Sequence, residues 1–212
     1  MVCLDKPCML SLRHRRTFLT AFLGAAWGLS LFLGWRSLLS YESTPGSASS
    51  AVSAWPSDSK IARAADRPTL IMLAHPHCPC TRASVEELAK IMAQTSRKPA
   101  AYVLFLKPEG SASDWDDTAL RKLAASIPGV TVVTDDGGSE ARRFGAETSG
   151  HTLLFDPAGT RLFSGGITSS RGHAGDNAGE DAIVSLVSQN RTNRPSTLVF
   201  GCALNNPTED SK

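Results

Sequence analysis

From Thr17 to Trp35 the chain reads TFLTAFLGAAWGLSLFLGW, without a charged side chain. A helix rises about 1.5 Å per residue, so a run of this length nearly crosses a hydrocarbon core of roughly 30 Å. Backbone polar groups find no water there, and a helix satisfies them internally. Residues 17–39 are therefore read as a membrane anchor. Lys6, Arg13, Arg15 and Arg16 precede the run, whereas after Arg36 the next basic residue is Lys60. Positive charge is retained on the cytoplasmic side, so 1–16 is expected in the cytoplasm and everything after the span outside it. In a bacterial cell this means a single pass through the inner membrane, with the C-terminal part in the periplasm. Two other readings stay open. Ala51-Val52-Ser53-Ala54 offers small residues to a signal peptidase, and Arg15-Arg16-Thr17-Phe18-Leu19 resembles a twin-arginine export signal. All three export the rest of the chain.

Residues 40–66 are rich in Ser, Ala and Pro and are expected to be a flexible linker. A folded domain is expected over 67–204 and a disordered tail over 205–212. With 212 residues the chain has room for one domain of ordinary size besides the anchor. A net charge of +2, with no basic run interleaved with aromatics, gives no case for a nucleic-acid partner. Inside the domain, TLIMLA (Thr69–Ala74) and AAYVLFL (Ala100–Leu106) are apolar runs of strand length, suited to burial on both faces. Val130–Thr134 predicts a third strand. Thr152–Phe155 and Arg161–Ser164 predict a hairpin around Asp156-Pro157-Ala158-Gly159. Val85, Leu88, Ile91 and Met92 fall at helical spacing, Asp114–Ser126 has helical character, and Asn177 starts a last helix at about 181–189.

Between the first strand and the first domain helix lies His75-Pro76-His77-Cys78-Pro79-Cys80-Thr81-Arg82. Pro79 at the first helical position would lose nothing by lacking an N–H. Cys78 would then stand at the helix N-cap, where the dipole favours a thiolate. Cys80, inside the first turn, would attack a mixed disulfide on Cys78 and release the product. A bridge across one intervening residue closes a strained ring, which favours an oxidant or isomerase over a strong reductant.

The order strand, cysteine pair, helix, strand, helix, strand, short helix, hairpin, helix resembles thioredoxin over roughly 67–190. The run from Phe144-Gly145-Ala146 through Gly150-His151-Thr152-Leu153-Leu154-Phe155 to Gly159-Thr160 is similar to its second half. The anchor, the His75–Arg82 run and Ser170-Arg171-Gly172-His173-Ala174-Gly175-Asp176-Asn177 resemble, more narrowly, the membrane-anchored thioredoxin-like proteins called RedB. The resemblance implies an α/β fold of thioredoxin type: three α/β/α layers with a central mixed sheet, preceded by one transmembrane helix. It departs from thioredoxin in three places. The cysteines are spaced Cys-x-Cys, His151 stands where thioredoxin has its cis-proline, and Thr69–Ala74 lacks the buried carboxylate.

The resemblance also implies that His151 lies beside Cys78, and that the loop after the hairpin brings Arg171 and His173 over the redox centre. His75 and His77 flank the cysteines, to tune them or ligate a metal, or else as partly exposed packing. Cys202 is either a third, resolving thiol or a buried bystander. The expected partners are protein or small-molecule thiols and disulfides, with no cofactor. A rival reading takes the site as a copper or zinc module with Cys78, Cys80, His75, His151 and His173 as ligands, since thiolate and imidazole suit those metals. A third is a structural role without chemistry.

Overall fold

A computed structural model of the chain describes residues 6–47 and 50–204. Cys3, the side chain of Cys8 and the expected tail lie outside what it describes. Contacts divide the chain into two units, one up to Tyr41 and one from Glu42 onward. The first unit is carried by helix α1 (Lys6–Ser43). Over His14–Ser43 this helix is long and apolar enough to cross a membrane or to serve as a signal sequence. Phe18, Phe22, Trp27, Phe32 and Trp35 all stand exposed on it. Its few hydroxyls bond back to their own helix: Thr20 Oγ1 donates to the Arg16 carbonyl and Ser30 Oγ to that of Ala26. Such back-bonding satisfies each hydroxyl within the helix itself.

The second unit is built on five strands, β1 (Thr69–Ala74), β2 (Ala100–Lys107), β3 (Val130–Asp136), β4 (His151–Phe155) and β5 (Arg161–Gly165), in the order β3-β2-β1-β4-β5. β1, β2 and β3 run parallel, and β4 and β5 antiparallel to their neighbours. The central strand β1 is buried along its whole length. Its alternation divides the core. Leu70, Met72 and Ala74 pack with Val85, Leu88, Ile91 and Met92 of α2 (Thr81–Gln94), Leu120 and Ala124 of α3 (Ala119–Ala125), and Ile183 and Leu186 of α5 (Ala178–Gln189). Ile71 and Leu73 face the other way, onto Ala141 of α4 (Ser139–Arg143), Phe144 and Phe155. Each element thus buries the stripe its period supplies.

Residues 50–66, expected to be a flexible linker, lie along this second face. Trp55 meets Phe144 and Phe155 edge-on, both at 5.2 Å between ring centroids. Ile61 is buried with them, and Ala54 bridges to Thr160. The indole is what a composition count overlooks: one large apolar side chain with a pocket outweighs a polar neighbourhood. The β5 edge is covered by the C-terminal segment, where Ser164 and Ser196 pair in parallel. That covering also removes an open strand edge.

Candidate functional site

The parallel strands β1 and β2 end at one rim of the sheet, and the Cys-Pro-Cys run follows β1 there. The turn begins with Cys78 N–H donating to the His75 carbonyl at 3.1 Å and continues with Thr81 N–H donating to that of Cys78 at 3.2 Å. α2 begins at Thr81 with Cys80 as its N-cap residue, so the helix starts two residues later than expected. Cys78 and Pro79 belong to the turn. Cys78 is 2% exposed and Cys80 7%, while Cys202 is half-buried.

The contact that dominates the site comes from the far end of the chain. The Cys78 and Cys202 sulfurs lie 2.8 Å apart, in hydrogen-bond contact. The segment carrying Cys202 is tied down on both sides: Ser149 N–H donates to the Cys202 carbonyl at 2.8 Å and Leu204 N–H to that of Glu147 at 2.8 Å. A β-bridge joins Thr148 to Ala203. Gly201 fits against the Ser149 carbonyl so closely that a Cβ would collide with it. Arg171 adds a clamp, its Nη1 donating to the Gly201 carbonyl and its Nε to that of Thr44 at 3.0 Å.

These contacts set the thiols apart. Burial pushes the Cys78 thiol up, but hydrogen bonds from the Cys202 and Thr81 side chains and from their backbone N–H groups bring it below its ordinary value. Burial pushes Cys80 up, and charge on Cys78 adds to the shift against a favourable Arg171. Burial, the hydrogen bond to Cys78 and charge on the other two sulfurs raise Cys202 to about 12, again against Arg171. One sulfur therefore favours the thiolate, between two that favour the thiol. This is the division of labour a nucleophile and its partners need.

Of the residues singled out in the sequence, Cys78, Cys80, Cys202 and Arg171 come together. The histidines do not join them. His151 opens β4 in register with Leu73, its ring turned to Ser164 Oγ at 2.9 Å. Burial, with a smaller push from Arg161, lowers it to about 4, and its Nδ1 is buried without a hydrogen-bond partner. His173 lies 3.4 Å from the Glu42 carboxylate on the surface. His77 meets Trp115 edge-on at 4.7 Å and bonds its carbonyl at 2.9 Å, and His75 meets the same indole edge-on. The ligand set of the metal reading is thus dispersed. Among the described residues no group of three or more His, Cys, Asp or Glu side chains is arranged to hold a metal ion.

Two site residues were not anticipated. Ser149 Oγ accepts from His75 N–H at 2.7 Å and pairs with Thr81 Oγ1 at 2.6 Å, tying the turn before β4 to the cysteine turn. The position of thioredoxin's cis-proline was the available signal, but it pointed to His151 rather than to Ser149 two residues earlier. No peptide bond among the described residues is cis.

No protein-family model and no curated protein matches the sequence. Solved structures do. An uncharacterized conserved protein from Geobacillus kaustophilus is 14% identical, with a TM-score of 0.54, over 78% of this chain and 94% of that one. A thioredoxin-like protein from Aeropyrum pernix is 15% identical, TM-score 0.44, over 78% and 99%. The pneumococcal exposed lipoprotein thioredoxin Etrx1 from Streptococcus pneumoniae is 15% identical, TM-score 0.43, over 58% and 84%. The last two are looser likenesses, on which nothing here rests. The strand order, the parallel β1–β3 with antiparallel β4 and β5, the helices on both faces and the cysteine turn after β1 define the architecture: the chain has a thioredoxin-like fold behind an N-terminal apolar helix.

Proposed function

We propose that this chain is a membrane-anchored thiol–disulfide exchange protein, displayed on the periplasmic side of the inner membrane, with Cys78 as its attacking thiol. The observation that carries the reading is the Cys78 sulfur, held between the Cys202 thiol at 2.8 Å and the first N–H and hydroxyl of α2. Those donors favour the thiolate, the species that attacks a disulfide. A structural cysteine has no use for such a setting. Cys80 and Cys202 are each within the reach of Cys78 needed to release a mixed disulfide, and the substrates are protein or small-molecule thiols and disulfides.

The test is exchange with a small disulfide by the purified full chain in detergent, carrying Cys3→Ser and Cys8→Ser so that only the domain thiols report. Cys78→Ser is expected to lose at least about a hundredfold in rate, the scale of losing an activated nucleophile. Full activity of Cys78→Ser would sink the proposal. The location has its own test: a reporter fused after Asp66 is expected to work only outside the cytoplasm. Activity inside would overturn the export reading and leave the chemistry standing.

A further inference from the structure

We propose that Cys202 is the resolving thiol, so that the redox couple is the long-range pair Cys78–Cys202 and not the adjacent pair of the Cys-Pro-Cys run. This rests on the exchange reading above and specifies it. Three features of the geometry converge. The Cys78 and Cys202 sulfurs are already 2.8 Å apart. The two residues are separated by 124 positions, so a bridge between them closes no small ring, whereas Cys78–Cys80 closes a ring around a single proline that departs from relaxed disulfide geometry. The segment bearing Cys202 is fastened for this placement by Ser149, Glu147, Thr148 and the Arg171 clamp. That much backbone pairing is unexpected for a bystander thiol. Cys202 is also the more exposed residue of the pair, half-buried beside a nearly covered Cys78.

The step balances as follows. The Cys78 thiolate attacks one sulfur of R–S–S–R′, forming Cys78–S–S–R and expelling R′S⁻, which takes up the proton of the Cys202 thiol. The Cys202 thiolate so formed attacks Cys78 Sγ, breaking the mixed disulfide, forming Cys78–S–S–Cys202 and releasing RS⁻. Two electrons pass from the cysteine pair to the substrate. A dithiol reductant is needed to restore the pair, by the same steps reversed.

Dipyridyl disulfide is a suitable probe, mixed at one equivalent per chain with the reduced full chain carrying Cys3→Ser and Cys8→Ser, so that a second thiopyridone is freed only if a second thiol resolves the mixed disulfide. Unmutated site and Cys80→Ser are expected to release two thiopyridone equivalents per chain. Cys202→Ser should stop at one and keep a mixed disulfide on Cys78. Release of two equivalents by Cys202→Ser would overturn the assignment. Peptide mapping of the oxidised chain with its site unmutated needs no folded variant: a Cys78–Cys202 linkage is expected, and a Cys78–Cys80 linkage overturns the proposal. Unchanged release by Cys78→Ser strikes the exchange reading itself, so the two failures are distinguishable.

Discussion

At the scale of the residue, Cys78 is decided by a contest between burial and hydrogen bonding. Burial alone would push its thiol up, and donors from Cys202 and Thr81 reverse the sign. A hydrogen bond to a charged group is worth about 1.5–3 kcal/mol, and one pKa unit is about 1.4 kcal/mol. Removing the Cys202 donor should therefore move Cys78 upward. The expected outcome is a Cys78 alkylation profile with its midpoint below that of a free thiol, displaced upward in Cys202→Ala and less so in Cys202→Ser, which keeps a hydroxyl. An unmoved midpoint in Cys202→Ala would mean that the 2.8 Å contact does not exist in solution. Cys78 and Cys80 were legible in the sequence because a strand-to-helix junction is where thiolates are favoured. Ser149 was not, since a serine before a strand carries no mark of what it will touch.

At the scale of the element, strand parity decides His151. β4 alternates, and the register Leu73↔His151 puts its ring on the side of Ser164 and Arg161. The resemblance to thioredoxin identified the right turn, and the period-two rule sent the side chain elsewhere. The C-terminal segment makes the opposite case: TLVFGCAL looks like one more short apolar run, yet its value lies in backbone pairing with 147–149. Gly201 permits that approach because a Cβ there would strike the Ser149 carbonyl. Gly201→Ala should lift Cys202 off Cys78 and slow bridge formation by about a hundredfold, the usual scale of an ångström-level misplacement. Iodoacetamide labelling of Cys78 should persist in the same variant. Equal rates of bridge formation with and without the methyl group would show that the segment's fit is irrelevant.

At the scale of the whole molecule, two buried groups far from each other oppose one another in pH. Burial lowers His151 from 6.5 to about 4, so its contribution to stability is present above about 6.5 and lost as pH falls toward 4. Burial raises Glu180 from 4.5 to about 7, with a hydrogen bond to Glu87 and the charge of that carboxylate adding to it. Its contribution is present below about 4.5 and lost as pH rises toward 7. The shifts are of similar size and opposite sign over nearly the same window. Between about pH 4.5 and 6.5 the contributions of these two groups to thermal stability should therefore offset one another. Glu180→Gln should unmask a Tm that falls on acidification, and His151→Gln one that falls as pH rises. A variant Tm with the same pH dependence as that of the parent would discard this cancellation.

The amino-acid sequence determined what depends on local period and composition. The apolar run makes α1, the uninterrupted TLIMLA makes a strand buried on both faces, helical spacing makes α2, and the junction between the last two holds Cys78 and Cys80. These are properties of neighbouring residues, and neighbours are what a sequence lists. Tertiary structure decided what depends on which surfaces meet. It laid Trp55 on Phe144 and Phe155, turned His151 from the cysteines, left His173 on Glu42, and brought Cys202 across 124 positions to 2.8 Å from Cys78. The reason is physical: a side chain's partner is chosen by strand register, by the face it is dealt, and by the backbone hydrogen bonds that dock a distant segment.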